Sequence, residues 1–87
     1  MNMEKYEFAE KLYLELKKER DIQNIVEQIR TAKWKGKAFS TDEQLEIVDL
    51  IRRIHFQKNR YVFESVDYFL ALVDHVEDQI RAKENKK

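Results

Sequence analysis

The sequence predicts an all-α fold, a small antiparallel up-and-down four-helix bundle, and three observations support this. The 87 residues include no proline and a single glycine, so the turn chemistry that sheets and hairpins need is scarce. The chain is rich in Leu, Glu, Lys, Gln, Ile and Arg, most of them strong helix formers. Apolar residues recur three and four apart in four separate stretches, the period of one helix face.

Helix one is predicted over residues 3–18, with Tyr6, Ala9, Leu12, Tyr13 and Leu16 on one stripe, Phe8 at its margin and Leu14 outside it. Helix two is expected over 22–33. Asp21 is placed to cap it, because a short side-chain oxygen there accepts from a first-turn amide, and Ile22, Ile25, Val26 and Ile29 form a narrow apolar face. The break that follows, Trp34 to Phe39, holds the one glycine, Gly36. Ser40 and Glu43 then have capping-box spacing, which starts helix three at 41. Leu45, Ile47, Val48, Leu50, Ile51 and Ile54 cover well over half its circumference, so burial is expected for this helix, which fades near Phe56 to Asn59.

Helix four is predicted over 60–82. Val62, Val66, Phe69, Val73, Val76 and Ile80 form one seam with alternating spacings of four and three, while Asp67, Asp74 and Asp78 fall on the wettable side. At 1.5 Å per residue it would be roughly 34 Å long, and the other helices are expected to line up along it.

Charged residues make up 39% and hydrophobic residues 43%, which argues for a folded chain rather than a disordered one. A single domain is expected over 1–87, with 83–87 as a frayed polar tail. Seventeen basic residues balance seventeen acidic ones, which removes the simplest argument for a nucleic-acid binder. The absence of cysteine excludes disulfides, thiolate catalysis and zinc ribbons. Glu4, Glu7 and Glu10 argue against a secretory signal, and no run of apolar residues is long enough to be a transmembrane segment, so a soluble, cytoplasmic protein is expected.

The charges come in blocks: Arg30, Lys33, Lys35 and Lys37; then Asp42, Glu43, Glu46 and Asp49; then Arg52, Arg53, Lys58 and Arg60. Basic blocks fall at predicted helix C-termini and acids mostly towards N-termini, as the helix dipole favours. In an up-and-down bundle the loop between helices two and three lies at the same end as the finish of helix four. Arg30, Lys33, Lys35 and Lys37 are therefore expected near Arg81, Lys83, Lys86 and Lys87, with Trp34 among them. A tryptophan set between lysines can stack on a base, enter a membrane interface or anchor a protein contact; it can also fold back to cap the core. A helix-turn-helix is disfavoured, because the connection is long and the would-be recognition helix opens with Asp42 and Glu43.

No metal site or cofactor is predicted: Leu72 and Arg52 stand where a carboxylate-bridged bundle wants Glu three residues before a histidine. His55 and His75 are expected at the solvent or an edge, and neither has a convergent nucleophile, so no catalytic residue and no enzyme is predicted. The expected function is that of a small protein-interaction module, of the inhibitor, immunity or regulatory-adaptor type found in bacteria and phages. That comparison rests on build and size alone. Leu14, Tyr13, Trp34, Tyr61 and Tyr68 are the apolar residues the stripes account for least. Of these, Leu14, Trp34, Tyr61 and Tyr68, together with Lys33, Lys35 and Lys37, make up the expected partner-binding surface. Two alternatives remain: a nucleic-acid-binding regulator using the basic end around Trp34, and an obligate homodimer sealed along helix four.

Overall fold

The structure, a computed structural model, describes residues 3–58 and 68–85. Four helices and one short hairpin follow in order: α1 (Met3–Glu19), α2 (Ile22–Thr31), β1 (Lys33–Trp34), β2 (Lys37–Ala38), α3 (Thr41–Lys58) and α4 (Tyr68–Asn85). The all-α four-helix prediction holds. The first part of the predicted fourth helix, with Val62 and Val66 of its seam and Tyr61, lies outside the described residues.

Local chemistry sets most boundaries. The α1 helix stops where Arg20 turns left-handed, at φ 57°, its amide still donating to the Leu16 carbonyl. Asp21 then caps α2, its Oδ1 accepting from the Asn24 amide at 3.1 Å. At α3 the capping box closes reciprocally. The Ser40 amide donates to Glu43 Oε1 (2.9 Å) and the Glu43 amide to Ser40 Oγ (3.2 Å). The Glu43 carboxyl is held below its ordinary range, first by that Ser40 amide and further by Lys5. At the far end α4 runs through Asn85, past the predicted stop at 82, since no glycine or proline interrupts Lys83, Glu84 and Asn85. The backbone of 83–85 is therefore helical.

The second helix is shorter than predicted. It ends at Thr31 rather than 33, because Ala32 adopts an extended conformation and Lys33 pairs with Ala38 in a hairpin. One glycine was enough for a hairpin after all. Lys35 (φ 54°) and Gly36 (φ 82°) supply the two left-handed residues that a type I′ two-residue loop requires. A lysine in that region costs about 1 kcal/mol locally. It persists because Phe39, just beyond the second strand, is buried and stacks on Phe8 with ring centroids 6.3 Å apart.

Two pairs of consecutive helices fold back on each other: across the short connection at Arg20 and Asp21, Lys11 and Glu15 of α1 both meet Gln28 of α2. On the other side His55 stacks on Phe69 while Arg52 reaches Asp74 and Glu77, so α4 folds back along α3 instead of continuing it. Chain neighbours are not always packing neighbours, however. The main contacts are α1 on α3, α3 on α4 and α4 on α2, while α2 and α3 touch only slightly. The hairpin bridges that gap. Packing thus converges on α3 rather than on the carboxy-terminal helix, because α3 offers apolar residues round more of its circumference. The α1 helix crosses α3 steeply: its Lys5 and Phe8 flank meets Phe39, Glu43 and Glu46, and its Tyr6 and Tyr13 flank meets Gln57 and His55.

A single apolar cluster joins all four helices. Leu12 and Leu16, Ile25 and Ile29, Ile47 and Ile51, and Val73, Val76 and Ile80 are all essentially inaccessible within it. Burial of side chains this size is worth about 1.5–3 kcal/mol each. No buried side-chain nitrogen or oxygen among the described residues lacks a partner.

Across the α3–α4 seam, Arg52 binds both Asp74 Oδ1 (2.7 Å) and Glu77, and Arg81 Nε binds Glu77 Oε2 at 2.7 Å. Hydrogen bonds from Arg52 and then Arg81 hold the Glu77 carboxyl below its ordinary value near 4.5. Burial pulls the Arg52 guanidinium down, and Asp74 and Glu77 outweigh it, so the net shift is upward. Because the folded Glu77 pKa lies below the unfolded one, its stabilisation is complete above the unfolded value and is lost as pH falls through the folded value. Glu77→Gln is expected to cost roughly 1 kcal/mol at pH 7, and the gap to wild type should shrink at pH 3. Urea unfolding at the two pH values checks this; an unchanged gap would mean that the charge on Glu77 contributes nothing.

Candidate functional site

Two surface regions collect the residues left over by the core. The first is the hairpin. Lys33, Lys35 and Lys37 are exposed on it, with Trp34 half-buried against the core edge and Lys35 Nζ 5.6 Å from the Trp34 ring centroid. Trp34 packs back on the core and is only partly buried there. A hollow of about 280 Å³ opens here, lined by Trp34, Lys35, Lys37, Ala38, Phe39 and Glu43.

The acids at the starts of α1 and α3 would weaken such a basic tip if they were available to it. Lys5 engages two of them. Its ammonium lies 3.1 Å from Glu46 and 3.5 Å from Glu43, over the Phe39 ring at 5.9 Å, and the Glu46 hydrogen bond is the main force raising its pKa. Among the described residues, Lys33, Lys35 and Lys37 have no carboxylate partner. Lys5 escaped sequence reasoning although the signal was present, since it continues the stripe of Ala9, Leu12 and Leu16 at heptad spacing.

The second region surrounds a knot of rings where α1, α3 and α4 meet. Tyr13, His55 and Phe69 contact one another, with centroids 6.3, 5.0 and 4.7 Å apart, and Phe56 adds an edge at 5.8 Å from His55. Two expectations are corrected here. His55 is 8% exposed rather than at the solvent, because it follows Ile51 by one helical turn and faces the same way. Tyr13, counted among the residues the stripes account for least, is 1% exposed and belongs to the core. His75 is exposed, as expected.

Around this knot stand the large apolar residues that do face water: Leu14 at 56%, Phe56 at 56% and Tyr68 at 75% exposure. Each is the chain neighbour of one knot member, one Cα step of 3.8 Å away. Leu14 and Tyr68 were expected at the surface. Phe56 was missed, although its place on the polar face of α3, four residues after Arg52, was readable. Tyr61 lies outside the described residues.

Arg30 and Lys83 come together as the bundle geometry predicted, lining one hollow, whereas Lys86 and Lys87 lie outside the described residues. Among the described residues no three His, Asp or Glu side chains gather to hold a metal, and no helix is long and apolar enough to cross a membrane. Compared with family models, curated proteins and solved structures, the chain matches none.

Proposed function

We propose that this chain works by binding another protein rather than by turnover, as a small helical module of the inhibitor, immunity or regulatory-adaptor type. The observation that carries this reading is the triplet Leu14, Phe56 and Tyr68, three large apolar side chains exposed next in the chain to a cluster of packed rings. Aromatic anchors fixed beforehand lose little entropy on binding and are the residues from which interface hot spots are made.

Leu14→Asp combined with Phe56→Asp should leave the circular dichroism spectrum unchanged and cost at least tenfold in partner capture from the native cell. Capture by the wild type should survive high salt, as an apolar contact is only weakly screened. Undiminished capture by the double variant would remove this surface from consideration.

A second reading rests on the hairpin, whose three lysines stand round Trp34 without carboxylate partners. Here the chain would bind single-stranded nucleic acid, Trp34 stacking on a base and the lysines meeting phosphates. Affinity would then fall steeply with salt, and replacing the three lysines by Gln would lower the slope of log K against log salt by about two.

A further inference from the structure

The ends of α2 and α4 meet beside the first turn of α3. Arg30 donates from Nη2 to the Gln79 carbonyl at 2.9 Å, which pins its guanidinium against α4 and leaves it further N–H donors. That bond does not neutralise it. Arg52, Arg53 and Arg81 each hold a carboxylate, and Arg30 holds none among the described residues. Lys83, one turn beyond Gln79 and exposed, also lacks an ion pair among the described residues. The two cations share a hollow of about 360 Å³ with Thr41, Gln44 and Ile80. Gln44 is fixed there by donating from Nε2 to the Phe39 carbonyl at 3.0 Å. A second hollow of about 330 Å³ is walled by the same two cations with Gln79 and Ala82. No carboxylate among the described residues lines either.

Dipole compensation accounts for a cation near the end of each helix. It would be served as well by cations turned towards bulk water. The fold also sets both over one polar hollow with no carboxylate lining it among the described residues, and a bound dianion would relieve the repulsion between like charges placed there.

We propose that this hollow binds a small ligand carrying a phosphoryl group. A tetrahedral dianion can take a forked contact from Arg30 and a point-charge contact from Lys83, both charge-assisted. The volume suits a small molecule rather than a polymer strand. The proposal goes beyond the protein-binding reading and shares no residue with Leu14, Phe56, Tyr68 or the hairpin lysines.

The test is a nitrogen–proton NMR titration of the full chain with inorganic pyrophosphate, with sodium chloride at matched ionic strength as the control. Saturable shifts are expected at the Arg30, Thr41, Gln44 and Lys83 amides. Arg30→Gln and Lys83→Gln should each weaken binding about tenfold or more, while Lys18→Gln leaves it unchanged. Lys83 is exposed, so its variant remains interpretable even if Arg30→Gln disturbs the α2–α4 contact. Shifts that are absent, reproduced by chloride or insensitive to Lys83→Gln would overturn the proposal. So would a short single-stranded DNA that moved these amides when pyrophosphate did not.

Discussion

Val73→Asp is expected to unfold the protein under conditions in which the wild type is folded. Val73 is 1% exposed and sits in the core with Val76 and Ile80, so an aspartate there would place a carboxylate among aliphatic groups with no cation provided for it. An unpaired buried charge costs about 3–5 kcal/mol or more. A domain of this size is stable by only about 5–15 kcal/mol. Thermal melting by circular dichroism checks the loss of fold, and sedimentation checks the mass. A variant that stayed folded and changed only its mass would mean that the α4 seam joins two copies. In the structure the described part of that seam is already covered by the chain's own helices.

Tyr13→Ala is expected to be the other severe variant, costing about 3–5 kcal/mol in urea unfolding. Removing the ring empties the centre of the knot, leaving His55 and Phe69 without their neighbour. Tyr13→Phe keeps the ring and loses the hydroxyl, which accepts from Lys17 at 3.3 Å, so it should cost only about 1 kcal/mol. Leu14→Ala, one residue along, should stay within about 0.5 kcal/mol. If Tyr13→Ala proved as mild as Leu14→Ala, Tyr13 would belong to the surface after all.

These two expectations bear on function through one property. A core whose rings interlock, and whose buried polar side-chain atoms are satisfied among the described residues, fixes the backbone from which its outward side chains project. Binding through Leu14, Phe56 and Tyr68 would then depend on the knot beneath them. Variants that loosen Tyr13 should therefore weaken partner capture as well as stability.

The features legible in the sequence were those set by a few adjacent residues. The Asp21 cap, the Ser40–Glu43 box and the period of the apolar stripes are local events, and they hold among the described residues. Lys5 and His55 also follow the period of their stripes, and their polarity masks that register. The hairpin was not legible in this way. A single Lys35-Gly36 pair can close a two-residue loop only if something holds its strands, and here Phe39 does so from inside the core.

By itself, then, the sequence determined that the chain forms four helices, where the first three start, and which face of each is apolar, because caps and periodicity act within about one turn of helix. Only the tertiary structure decided that α3 is the hub, that Tyr13 and His55 lie inside while Phe56 faces water, and that Arg30 and Lys83 share a hollow lined by no carboxylate among the described residues. Those outcomes depend on which helices lie side by side, and that is settled by how unequal apolar faces pack together, which no short stretch of residues encodes.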